Sequence, residues 1–191
     1  KGLRERKIPV KLVVHGRTKN ELYDTFNGDL NDITFIKDMW LHKYIDKFKK
    51  IVIKIGSSIL VDEKGKPKKI WLKEFAKDIK NLIKKKKQIV IVSSGAIAMG
   101  CEYLKIKKNG LKVDKSQAVA SIGQIELMDF YKKTFDKSKI KISQILLTLD
   151  DTEQRRRSIN ARRTIDNLFK MGIIPIVNEN DTTATTEIKY G

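Results

Sequence analysis

This sequence predicts an α/β fold, a three-layer sandwich on a mainly parallel sheet, and three observations lead there. Short β-branched runs recur, at Ile51-Val52-Ile53-Lys54-Ile55, Ile89-Val90-Ile91-Val92 and Ile173-Ile174-Pro175-Ile176-Val177. Segments between them carry apolar residues at helical spacing. Each of these runs ends in small or polar residues, the composition of a turn. Strand and helix in alternation join into parallel strands through right-handed crossovers, which place helices on both faces of the sheet.

Taken in order, the chain changes character near residue 45. From Lys1 to Tyr44 there is one short apolar run, Ile8 to Val14, interrupted by Pro9 and Lys11. Gly16, Asn20, Asn27, Gly28 and Asn31 then stand at turn-like positions. Residues 1–47 therefore read as an appended arm of unknown role, with residues 48–191 as the regular domain. The Ile51–Ile55 run is a buried strand leading into Gly56-Ser57-Ser58, read as a tight turn. Trp71, Leu72, Phe75, Ile79, Leu82 and Ile83 mark an amphipathic helix that ends at the lysine run 84–87. Ile89–Val92 is a second buried strand, followed by Ser93-Ser94-Gly95-Ala96 and a helix-compatible Ile97-Ala98-Met99. Ser116 to Phe135 reads as a helix, Ile140 to Thr148 as a strand, Arg155 to Met171 as a helix and Ile173 to Val177 as a strand.

Composition narrows the class. The 191 residues hold 41 Lys+Arg against 23 Asp+Glu, a net charge of +18, and only 40% are hydrophobic, which excludes a membrane channel. One sizeable core fits this length. The single Cys101 leaves no disulfide framework and no paired CxxC zinc site, as in a reducing compartment. No apolar run approaches the roughly 20 residues of a membrane span, and no signal-peptide core opens the chain, so the expectation is a soluble cytoplasmic protein with no membrane partner. The charge raises a second reading, a basic nucleic-acid-binding protein without catalysis. Lysine dominates it, however, alongside many Ile and Asn residues, as AT-biased coding would produce, and lysine runs usually form a solvated face. The arginines at 155, 156, 157, 162 and 163 are distributed around their helix at this spacing and read as a surface feature.

In open parallel sheets ligands bind beyond the carboxyl ends of the strands, so the turns there are the candidate site. Gly56-Ser57-Ser58 lets the backbone approach an anion, with Lys54 as a point charge for a transferring phosphoryl group. Ser94-Gly95-Ala96 opens a helix, whose N-terminus favours anions; Ser94 either faces a ligand or caps that helix. Asn178-Glu179-Asn180-Asp181, followed by Thr182 and Thr183, gathers more polar groups than one turn requires and suits a substrate ammonium or a metal-bound network rather than a core. Other chemistries fail on inspection. Gly95 and Gly100 have the first Walker A spacing, but Cys101 and Glu102 follow instead of Lys and Ser or Thr. There is no Gly-x-Gly-x-x-Gly, and both histidines, His15 and His42, lie in the arm, away from any catalytic serine. Cys101 reads as a buried structural thiol.

Six segments taken together carry a resemblance: Val52 to Ser58, Ile91 to Gly100, Ser121-Ile122-Gly123-Gln124, Gln144 to Thr148, Asn160-Ala161-Arg162 and Pro175 to Asp181. From about Phe48 to Gly191 the chain resembles the glutamate 5-kinases of the amino acid kinase family. The resemblance implies phosphoryl transfer from ATP, with Mg²⁺, to the side-chain carboxylate of L-glutamate, giving L-glutamyl 5-phosphate, the first step of proline biosynthesis. By it Lys54 is catalytic and contacts the ATP phosphates, Gly56, Ser57 and Ser58 form the phosphate-side turn, and Ser94, Asn178 and Asp181 bind glutamate. No protein metal ligand and no specific nucleic acid are implied, whereas assembly into homo-oligomers is. In the family an Asp-Asn-Asp segment and a nucleotide-binding half follow the position of Gly191. The expectation is thus a partial amino acid kinase domain, truncated at its C-terminal side, which binds glutamate with little turnover of its own.

Overall fold

The computed structural model describes residues 48–62 and 65–184. The expected arm over residues 1–47, its Ile8–Val14 run included, lies outside the described residues. The described residues from Lys50 onward form one compact unit, which carries the sheet.

Its elements follow the alternation seen in the sequence. They are β1 (Lys50–Lys54), α1 (Ser57–Leu60), α2 (Lys69–Lys84), β2 (Gln88–Val92), α3 (Ala96–Leu104), α4 (Val113–Lys137), β3 (Ile142–Leu147), α5 (Leu149–Glu153), α6 (Arg155–Lys170) and β4 (Ile174–Glu179). The four strands pair in the order β1-β2-β4-β3, every pair parallel, so the expected α/β class and parallel sheet are what the structure shows.

Period-two alternation in the strands sorts side chains onto two faces. Ile89 and Ile91 of β2 and Ile174 and Ile176 of β4 point to one face. There they pack with Leu72, Ala76 and Ile79 of α2, Met99 of α3, and Leu127, Tyr131 and Phe135 of α4. Val52 and Val90 point to the other face, where they line an open groove of about 320 Å³ with Ala161, Ile165 and Phe169 of α6. Val52, on the edge strand β1, stays 68% exposed.

Two glycines set how closely α3 and α4 cross. A Cβ on Gly123 would overlap the Ala96 carbonyl oxygen and the Gly100 nitrogen, and one on Gly100 would overlap the Val119 carbonyl oxygen. Backbone therefore meets backbone at this crossing, and α4 fixes where α3 begins.

Three expectations need correction. Gly56-Ser57-Ser58 is not a free-standing turn, because Ser57 already opens the single-turn helix α1. Leu149–Glu153 forms a helix that no periodicity announced; it is closed by a capping box in which Thr148 and Asp151 bond each other's backbone N–H. Strand β4 runs on through Asn178 and Glu179, which pair with Leu146 and Leu147 of β3.

Helix ends share one device. After α2, α3 and α4 the chain turns through Lys86, Lys105 and Lys139, with φ of 56°, 55° and 58°, and after α6 through Gly172, with φ of 69°. In each case the next residue reaches back into the last turn, as in Lys87 N–H to the Leu82 carbonyl and Ile173 N–H to the Leu168 carbonyl.

Candidate functional site

Backbone hydrogen bonds draw the strand ends level. Ile55 N–H donates to the Val92 carbonyl and Ser93 N–H to the Val177 carbonyl, each at 2.8 Å, and Asn180 N–H donates to the Leu147 carbonyl at 2.9 Å. The three polar segments singled out in the sequence therefore leave one rim of the sheet side by side.

Lys54 ends β1 with an exposed side chain. Gly56 is extended, with φ −74° and ψ 158°. A Cβ there would meet nothing within 4 Å, so this glycine leaves space and meets no conformational demand. Gly95 differs. At φ 109° it occupies the left-handed region as the N-cap of α3, where other residues are strained. A Cβ on Gly95 would stand 3.7 Å from both Cα and Cβ of Ser57, which brings the first and second segments face to face. No side chain caps α3, so the alternative in which Ser94 serves as its cap is set aside. The half-buried Ser94 keeps its hydroxyl for other work.

The third segment is partly strand. Asn178, 6% exposed, donates from Nδ2 to Gln124 Oε1 of α4 at 2.6 Å. The turn itself begins at Asn180, whose carbonyl accepts from Thr183 N–H and Ala184 N–H at 3.1 and 3.0 Å. Asp181 is half-buried in that turn. Beneath the rim Ser93 Oγ shares a hydrogen bond with the Tyr131 hydroxyl at 3.1 Å and bonds the Ser94 carbonyl at 3.3 Å. Burial pushes the Tyr131 phenol well above its ordinary range, the bond to Ser93 opposing it only in part.

Lys54, Gly56, Ser57, Ser58, Ser94, Asn178 and Asp181 thus all lie at this rim. The sequence reading did not count Gln124, Tyr131 and Gln117 among the site residues. They stand seven apart on α4. Polar groups repeating at that interval on a helix face that is otherwise buried were the available signal.

The rim offers one lysine, open glycine backbone and the N-terminus of the nine-residue α3, a donor set that fits phosphate oxygens. Among the described residues no group of three or more His, Cys, Asp or Glu side chains is placed to hold a metal ion. Elsewhere Cys101 is buried, and desolvation pushes its thiol up. The five α6 arginines are exposed, with Arg157 paired to Asp151 at 3.1 Å. Among the described residues no helix is long and apolar enough to cross a membrane.

Comparison with known proteins places these features in a family. The family model described as "Amino acid kinase family" matches residues 49–191. The chain is 69% identical over 148 residues to a protein named glutamate 5-kinase from Pelagibacter ubique, covering 78% of this chain and 40% of the relative. It is 51% identical over 144 residues to one of that name from Bartonella henselae, covering 75% and 38%. A third, from Rhizobium rhizogenes, is 49% identical over 153 residues, covering 80% and 39%. The chain thus spans about two fifths of the length of these curated relatives.

Proposed function

The chain belongs to the amino acid kinase family, and from that premise we propose that it carries the amino-acid side of a glutamate 5-kinase site, in which the γ-phosphoryl group of ATP passes to the side-chain carboxylate of L-glutamate. The observation that carries this reading is the convergence of three segments on one rim. Ser57 lies against Gly95, and Ser93 N–H is bonded to Val177 of β4, four residues before Asp181.

In the reaction a glutamate carboxylate oxygen forms a bond to the γ-phosphorus while the bond to the ADP oxygen breaks, giving an acyl phosphate. The carboxylate is ionised at neutral pH, so the nucleophile needs no general base. Bound ATP with Mg²⁺ supplies the phosphoryl group and part of the charge neutralisation. The residues of this chain then position and neutralise. Lys54 meets the negative charge that develops on the transferring group. The Gly56 segment, with Ser57 and Ser58, and the N–H groups at the start of α3 receive phosphate oxygens. The Ser94 hydroxyl donates to a glutamate carboxylate. Asp181 accepts from the substrate ammonium, and Asn178, held at the end of β4, aligns the same end of the molecule. A cytoplasmic location and homo-oligomeric assembly belong to this reading on the strength of the family resemblance.

The test is isothermal titration of the purified chain with L-glutamate, alone and with ATP and Mg²⁺, beside Ser94→Ala and Asp181→Ala. The expected result is saturable glutamate binding that both variants lose. A folded chain that shows no such binding refutes the proposal.

A further inference from the structure

Helix α4 carries three polar side chains at intervals of seven residues, and each bonds a segment of the rim. Gln117 Nε2 donates to the Ala184 carbonyl at 3.2 Å, Gln124 Oε1 accepts from Asn178 Nδ2 at 2.6 Å, and Tyr131 shares its hydroxyl with Ser93 at 3.1 Å. Seven residues make nearly two helical turns, so the three lie in one row about 21 Å long. Its rungs hold the end of β2, the end of β4 and the turn that follows β4.

The middle rung stands out energetically. Gln124 Nε2 is buried without a hydrogen-bond partner. A buried unpaired donor costs stability that methionine, of similar shape, would not incur. An apolar residue at position 124 would relieve that cost and leave the buried Asn178 donor without its acceptor instead. What an amide does there that methionine cannot do is hold the carboxamide of Asn178, which is itself buried and has its rotation fixed by this bond.

We propose that Gln124 is a positioning residue of the substrate site, and that through Asn178 it sets the side of the pocket that receives the amino acid. This rests on the assignment of glutamate to the rim. Gln124 acts on the substrate through Asn178. Its removal therefore loosens the aim of one contact and leaves the pocket otherwise intact, and the effect falls on substrate affinity while the fold is spared.

Two variants separate that role from a structural one. Gln124→Met removes the acceptor and the orphan donor together, and Gln124→Glu keeps an acceptor oxygen for Asn178. Three readouts are taken on the purified chain: urea unfolding, L-glutamate titration, and the side-chain amide resonances of Asn178 in a ¹⁵N–¹H spectrum, assigned by their loss in Asn178→Asp. The expected result for Gln124→Met is an unfolding midpoint close to that of the wild type, because relief of the orphan Gln124 donor offsets the Asn178 donor left without its acceptor, and glutamate affinity about five- to tenfold weaker, the loss of one hydrogen bond. Its Asn178 amide protons move upfield and exchange faster with water. Gln124→Glu recovers most of the affinity and of the amide shift. Wild-type affinity in Gln124→Met overturns the inference and leaves the glutamate reading standing. If the wild-type chain itself binds no glutamate, that reading fails, and the Asn178 resonances decide separately whether Gln124 holds the carboxamide: unchanged resonances in Gln124→Met overturn the positioning role.

Discussion

Replacing Gly123 with alanine adds one methyl group where α3 and α4 cross. At an exposed position inside a helix the change would stabilise the chain by about 1 kcal/mol through helix propensity. Here the new carbon overlaps the Ala96 carbonyl oxygen and the Gly100 nitrogen. Neither atom is the far end of a flexible side chain, so the two helices must part. An insertion of this kind lies near the top of the overpacking range, about 3 kcal/mol. Subtracting the propensity gain leaves about 2 kcal/mol of net destabilisation, or roughly 4–8 °C in Tm for a domain of this size. The assay is urea and thermal unfolding followed by circular dichroism, with Ser121→Ala, exposed on the same helix, as the control that receives propensity without overlap. Because α3 begins at the rim, its displacement also weakens anion binding at Gly95. A Gly123→Ala protein as stable as the wild type would refute the backbone-on-backbone crossing and, with it, the account of what places the start of α3.

Two further outcomes follow from the same structure. Lys54→Met leaves the unfolding midpoint unchanged, because the side chain is exposed, and weakens binding of inorganic triphosphate roughly ten- to a hundredfold in calorimetry, the value of a charge-assisted contact; equal affinity would remove Lys54 from the phosphate side. Tyr131→Phe changes the alkaline limb of stability. Burial raises the folded-state pKa of Tyr131, so above about pH 10 the unfolded phenol ionises while the folded one stays protonated, and wild-type stability falls with pH by up to about 1.4 kcal/mol per unit. The phenylalanine variant lacks this slope, and identical pH profiles would show that the phenol is not held protonated.

Much of this architecture is legible in the residues. The runs at Ile89 and Ile174 were legible as buried strands, since parallel strands covered on both faces lose the polar alternation of a half-exposed sheet. The run at Ile51 has the same composition, yet β1 lies at the edge of the described sheet and Val52 stays 68% exposed, because strand order leaves no local signal. The helix of Trp71 to Ile83 was legible because its apolar residues recur over four turns. The helices α1 and α5, of four and five residues, were too short for any period to register. Asn178 and Glu179 looked like turn residues by composition, yet strand β4 continues through them because the ladder with Leu146 and Leu147 uses backbone groups only. Strand order, with β4 inserted between β2 and β3, has no local signal. For the same reason the bond between Gln124 and Asn178, 54 residues apart, could not be read, although both residues stood in segments that carried the family resemblance.

Four helices end in the same left-handed turn, three through lysine and one through glycine. Lysine in that conformation costs about 1–2 kcal/mol that glycine does not. The lysine excess of this chain therefore marks the backbone as well as the charge. Lys86, Lys105 and Lys139 form a reserve of untapped stability, and an engineer seeking a hardier protein would begin at these three helix ends before touching any residue of the rim.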